Sequence, residues 1–117
     1  MIYELREYTA HENAAQRVHD RFADKALPLF ARHGLDVVGF WVDEQKPSQI
    51  LYLLRFEDVS AQKLAWAGFR DDADWQEAKA ASESAGPIVA HMASRTLLPV
   101  PYWPTAPKTN DERRPVA

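Results

Sequence analysis

The sequence predicts one α+β domain with the element order β-α-β-β-α-β, and three observations carry that prediction. The central stretch Ile50–Trp75, ILYLLRFEDVSAQKLAWAGFRDDADW, runs from residues apolar at almost every position, through an acidic break, into helices rich in aromatic residues. The N-terminal segment changes its apolar spacing from two to three and four, the signature of a strand followed by a helix. Gly34, Pro47 and the pair Gly86-Pro87 punctuate the blocks as turn residues. This order is the ferredoxin-like split βαβ arrangement, a four-stranded antiparallel sheet with both helices on one face.

The elements follow in order. Ile2 to Tyr8 alternates as a strand, with Ile2, Glu4, Arg6 and Tyr8 on one face and Tyr3, Leu5 and Glu7 on the other. Thr9 and Glu12 have capping-box spacing and predict a helix start there. The helix runs to about Arg32, with Val18, Phe22, Ala26, Leu29 and Phe30 on one stripe, and Gly34 ends it. Pro28 lies inside, lacks an N–H and meets the carbonyl of Asp24, which predicts a kink. Leu35–Val42 is the second strand, Asp43–Gln49 a polar hairpin loop, and Ile50–Phe56 the third strand. Ser60 offers a helix cap, and Asp72 a second one, within a helix pair from about Ala61 to Ser84. Ile88–Leu98 is the fourth strand. Residues 1–99 thus form the folded domain. Residues 100–117 form a proline-rich tail, in which Val100–Pro104 is expected to dock on folded protein and Lys108–Ala117 to be loosely held.

Composition sets bounds on function. At 117 residues the chain has the size of one ordinary domain, large enough to bury roughly two-thirds of its unfolded surface. Its 14 basic and 17 acidic residues are scattered in sign, so nucleic acid and anionic membrane are not expected partners. With no cysteine there is no disulfide, thiolate nucleophile or cysteine-ligated metal. No apolar run approaches the ~20 residues of a membrane span, and the opening residues lack a signal-peptide pattern, so the expected setting is cytoplasmic.

The strands predict an assembly. The third is apolar at both parities, with Ile50, Tyr52, Leu54 and Phe56 against Leu51 and Leu53, and the second is similar. Helices cover only one face, so a lone domain would leave the other in water, as a patch beyond the few hundred Å² usual for monomers. A second copy of the sheet, related by a twofold axis, is the simplest cover. The expected partner is therefore the chain itself, as a homodimer or a higher oligomer built on one.

The chain also resembles a known family. YELREY at Tyr3–Tyr8, PLFARHG at Pro28–Gly34, Trp41, YLLRF at Tyr52–Phe56, AWAGFRDDADW at Ala65–Trp75 and SRTLLPVPY at Ser94–Tyr102 together resemble the NIPSNAP family, within the dimeric α+β barrel superfamily. A loop glycine expected between Tyr8 and Glu12 is absent. The resemblance implies a homodimer whose two sheets form a barrel, and implies little about activity. The wider superfamily includes cofactor-independent monooxygenases, isomerases, dehalogenation-type enzymes and haem-handling proteins.

The residues themselves offer few chemical groups. Arg6 and Arg55 suit anchoring a carboxylate or stabilising an enolate; the structural alternative is an ion pair with Glu4 or with a partner chain. Tyr3, Tyr52, Trp41 and Trp66 suit a flat organic ligand, or else simple core packing. The four histidines have no metal-ligand spacing; His19 and His91 are a possible base or haem neighbour, or else structural. No phosphate-binding glycine motif occurs, and Gly68 within an aromatic helix signals a close neighbour. The expected site is a small, largely apolar pocket between the sheet and the Ala61–Ser84 helices. Its candidate residues are Tyr3, Tyr52 and Trp66, with Arg6 or His91 as polar contact, and it holds no metal and no cofactor. Isomerase-like or monooxygenase-like chemistry on an acidic or apolar organic molecule fits these groups. A non-catalytic protein-interaction module is the alternative, and haem binding a third reading.

Overall fold

The computed structural model describes residues 1–104. The elements are β1 (Ile2–Ala10), α1 (Ala15–Arg21), a π-helical turn (Phe22–Ala26), α2 (Leu27–His33), β2 (Asp36–Val42), β3 (Gln49–Phe56), α3 (Val59–Asp71), α4 (Ala73–Ser82) and β4 (Val89–Leu97). The strands form one antiparallel sheet in the order β2-β3-β1-β4. This is the α+β, ferredoxin-like arrangement that the sequence predicts. The expectation for Lys108–Ala117 lies outside the described residues.

The strand faces sort as alternation requires. The register pairs Glu4 with Leu54 and Arg6 with Tyr52 on the helix-covered side. There Ile2, Ile50, Tyr52, Leu54 and Phe56 pack with Val18, Phe22, Leu29, Phe30, Ala65, Trp66 and Phe69 into one core. Each large apolar side chain enclosed there contributes about 1.5–3 kcal/mol. The rings interlock: Phe40 stacks on Tyr52 at 4.5 Å, and Phe30 meets Phe69 edge-on at 5.0 Å.

Local starts and stops differ from expectation at three points. Thr9 does not cap a helix. β1 runs on to Ala10, and the Thr9 hydroxyl donates to the Gln49 side chain at 3.1 Å, so cross-strand pairing overrides the local cap signal. Asn13, just beyond the Tyr8–Glu12 stretch where a loop glycine was expected, takes a left-handed turn at φ 64°. Asp58 rather than Ser60 caps α3, accepting from the Ala61 N–H at 2.8 Å, whereas Asp72 caps α4 as predicted. Before Pro28, where a kink is expected, the helix takes a π-helical turn in which the Leu27 N–H bonds the Phe22 carbonyl. Gly34 closes α2 at φ 78°, the left-handed cap that a side chain would strain.

Among the described residues no helix covers the other face of the sheet. Leu5 pairs with Leu53 and Trp41 with Leu51 on that side. Trp41 lies across Gly39, where an added Cβ would collide with the indole ring, and remains 55% exposed. The last described residues fold over one corner of this face, where Trp103 and Pro104 line a hollow of about 280 Å³ with Tyr3, Val38, Leu53 and Arg55. Tyr102, expected to dock, is instead 84% exposed.

Candidate functional site

Alternation along β1 turns three polar residues, Glu4, Arg6 and Tyr8, toward the core side of the sheet. Water is scarce there, so each group needs a protein partner. α3 supplies two of these partners from residues one turn apart. Trp66 Nε1 donates to Glu4 Oε1 at 2.8 Å, and Gln62 Nε2 donates to the same oxygen at 2.9 Å. Glu4 Oε2 accepts from Arg6 Nη1 at 2.9 Å. The guanidinium lies 4.2 Å from the Trp66 ring centroid, a close cation–π contact. Arg6 Nη2 donates to the Tyr8 hydroxyl at 3.1 Å, and the Tyr8 and Tyr52 hydroxyls are 3.3 Å apart.

The electrostatics follow from burial. Burial alone acts to lower the Arg6 pKa, but Tyr52, Tyr8 and Glu4 around it outweigh that and hold it above its ordinary value, so the guanidinium stays charged. Burial pushes the Tyr52 hydroxyl well above its ordinary range, Tyr8 adds to this, and Arg6 only partly reverses it. Tyr52 is therefore protonated at neutral pH. Arg6 Nε is the one buried side-chain nitrogen or oxygen among the described residues that has no hydrogen-bond partner. An orphaned donor of this kind costs about 1–3 kcal/mol and calls for an explanation.

The cluster lies next to the edge of the sheet. β4 is an edge strand pairing Thr96 with Glu4, Ser94 with Arg6 and Met92 with Tyr8, and its side chains are exposed on that side. The Arg6 side chain, whose residue pairs with Ser94 of this edge strand, is 13% exposed.

Of the residues expected at the site, the fold brings together Arg6, Tyr52 and Trp66. Tyr3 and His91 stand on the opposite face of the sheet. Tyr3 pairs with Arg55 and Leu97, and His91 with Thr9, at positions of the other parity. The pocket expected beside Gly68 is filled. A Cβ at Gly68 would lie 2.9 Å from His33 Nδ1, and the His33 ring is itself held by Asp72 at 2.6 Å. Trp66 and Phe69 pack on Phe30 instead of framing a gap. Arg55 pairs with Asp36 at 3.1 Å on the uncovered face. Tyr8 and Gln62 were missed. The available signal was a run of alternating polar residues on the same strand face as Ile2, a face that otherwise faces the core.

A groove of about 690 Å³ runs between α1 with its π-helical turn and α4, away from this cluster. Its most buried charge, Arg21, bonds Ser82 at 3.1 Å and Glu83 at 3.0 Å, which ties α1 to α4. Among the described residues no group of three or more acidic or histidine side chains is placed to hold a metal. No described helix is long and apolar enough to cross a membrane.

Comparison with known proteins agrees with this architecture. An uncharacterized NIPSNAP-like domain protein from Burkholderia xenovorans superposes with TM-score 0.78 at 22% identity, covering 91% of this chain and 90% of that one. A NIPSNAP family protein from Agrobacterium tumefaciens gives TM-score 0.77 at 18% identity, covering 88% and 96%. A putative antibiotic biosynthesis monooxygenase from Bordetella bronchiseptica gives 0.64 at 21% identity, covering 85% and 96%. At these identities the likeness is one of fold. No curated protein matches the sequence. The NIPSNAP family pattern matches residues 3–104, nearly the whole chain, and the chain belongs to that family.

Proposed function

We propose that the chain works as a homodimer joined through its uncovered sheet faces, and that each copy binds a small organic anion at the Arg6–Tyr8 rim beside β4. The observation that carries the binding reading is Arg6, a cation beside the edge strand that stays charged and keeps 13% of its side chain exposed. A carboxylate or enolate oxygen is the kind of acceptor a guanidinium fork recognises. Proton transfer on an acidic substrate, or oxygenation of a substrate that forms its own carbanion, suits such a rim. The monooxygenase named among the structural relatives supports that chemistry only through shared fold. The homodimer reading rests on Leu5, Leu51, Leu53 and Trp41, which crowd one face without a covering layer.

Thermal-shift and calorimetric titration with benzoate and short aliphatic carboxylates tests the site. A ligand that binds only the folded state raises stability by RT ln(1 + [L]/Kd). A shift with at least one carboxylate, reduced tenfold or more in apparent affinity by Arg6→Gln, is expected. No shift with any of them at millimolar concentration overturns the reading. The second reading, a protein-interaction module, is favoured by one observation: Leu98, Tyr102 and Trp103 present a run of large apolar side chains to solvent.

A further inference from the structure

We propose that Tyr8 is the hydrogen-bond donor of this rim, and that its hydroxyl proton binds a phenolate or enolate oxygen on a flat ligand seated over Met92 and Ser94. This rests on the organic-anion reading above and names the ligand class within it.

The argument is a count of donors and acceptors. A tyrosine hydroxyl has one proton to give and two lone pairs to receive. Tyr52 is fully enclosed, and the acceptor within reach of its proton is the Tyr8 oxygen at 3.3 Å. A buried hydroxyl whose proton goes unused forfeits its hydration with nothing in return, so Tyr52 is the donor of that pair. Arg6 Nη2, which can only donate, reaches the same Tyr8 oxygen at 3.1 Å. Both acceptor positions of Tyr8 are then occupied, and its own proton must point away from Arg6 and Tyr52. Among the described residues no acceptor bonds that proton, and Tyr8 is only half-buried.

The surroundings select the ligand. Two donors on one phenol oxygen, one of them cationic, polarise its O–H and make it a stronger donor. The Arg6 guanidinium lies 5.6 Å from the Tyr8 ring centroid, so its charge favours an anionic oxygen at the same spot. Across the strand pair from Tyr8 stands Met92, 45% exposed, whose polarisable thioether suits the face or edge of a ring. A single-oxygen anion on a planar carbon frame matches one strong donor, a neighbouring cation and an apolar floor. Tyr8 contacts the ligand directly in this arrangement, whereas Tyr52 acts through it and is a positioning residue.

The test uses the full-length chain with 4-nitrophenol, whose phenolate absorbs in the visible, and benzoate as a carboxylate control. Bound 4-nitrophenol should ionise at lower pH than free 4-nitrophenol. Tyr8→Phe should abolish that shift and weaken nitrophenolate binding at least tenfold. Because Tyr8→Phe strands the Tyr52 hydroxyl, the double variant Tyr8→Phe/Tyr52→Phe repeats the measurement without a stranded group, and should lose the shift equally. If nitrophenolate binds with unchanged affinity and unchanged ionisation in both variants, Tyr8 is not the donor, although the Arg6 site stands. Preferential binding of neutral nitrophenol likewise overturns the assignment. If neither probe binds the wild type, both the assignment and the organic-anion reading fall.

Discussion

The two faces of β3 are built from similar residues and meet different fates. Toward the helices, Ile50, Tyr52 and Leu54 are completely enclosed. Toward the other side, Leu51 and Leu53 are half-buried, while their neighbours Val38 and Trp41 are 45% and 55% exposed. Among the described residues the helix layer lies on one side only, which leaves half of the sheet's apolar surface without a cover. Polarity is handled differently as well. The covered face carries a charged cluster in which each carboxylate oxygen is bonded, and one arginine nitrogen is left over. The uncovered face carries an arginine–aspartate pair at its corner, beneath the turn that ends the described chain. One face is closed over by the chain's own helices, and the other is the face that the proposed dimer would cover.

Paired truncations sharpen that contrast most strongly. Leu54→Ala should destabilise by about 2–5 kcal/mol in denaturant unfolding, because a cavity opens in a closed core. Leu53→Ala, one residue on, should cost less than about 1 kcal/mol in dilute protein and act mainly on association. Equal costs would break the distinction between the faces. Next in size is Glu4→Gln, which keeps acceptors for Trp66 and Gln62 but removes the charge opposite Arg6. A loss of about 2 kcal/mol is expected, the scale of a hydrogen bond to a charged group, and a neutral outcome would mean that Arg6 is solvated in place. Truncation after Leu98 should then lower stability by about 1 kcal/mol, since Trp103 covers the Tyr3–Arg55 corner while staying largely exposed. An unchanged melting temperature would make the tail a mere extension.

Much of this was legible in the sequence, and the misses have physical causes. Alternation in β1 and β3, the Gly34 stop and the Asp72 cap are local signals that tertiary structure kept. Thr9 was misread because a cap signal and a strand end use the same residue types, and pairing with Gln49 decided between them. The site was half legible. Arg6, Tyr52 and Trp66 are polar-tipped or charged residues in core-forming segments. Tyr3 and Arg6, however, are an odd number of positions apart on one strand, and so cannot wall one cavity within a single layer. Tyr8 escaped notice because its role depends on a hydroxyl 44 positions away, which only the register brings near.

The smallest expected effect concerns the junction between α3 and α4, remote from both sheet faces. His33, with the Asp74 N–H and Arg32, bonds the Asp72 carboxylate and holds its pKa at about 2, against 3.8 ordinarily, while burial opposes the shift only in part. The folded value lies below the unfolded one. The stabilisation is therefore present in full above about pH 4 and is lost as pH falls through about 2. The melting-temperature difference between wild type and Asp72→Asn should shrink over that interval. A difference independent of pH would mean that the carboxylate charge is immaterial there.

Sedimentation equilibrium at micromolar concentration tests the central claim most directly, because the claim is that the uncovered face is half of an interface. The account predicts a species of twice the 13.3 kDa chain mass, with a buried area above ~2,000 Å² in total and dissociation on introducing a charge by Leu53→Glu. A stable 13.3 kDa monomer at that concentration, with Leu53→Glu indistinguishable from wild type, would contradict it.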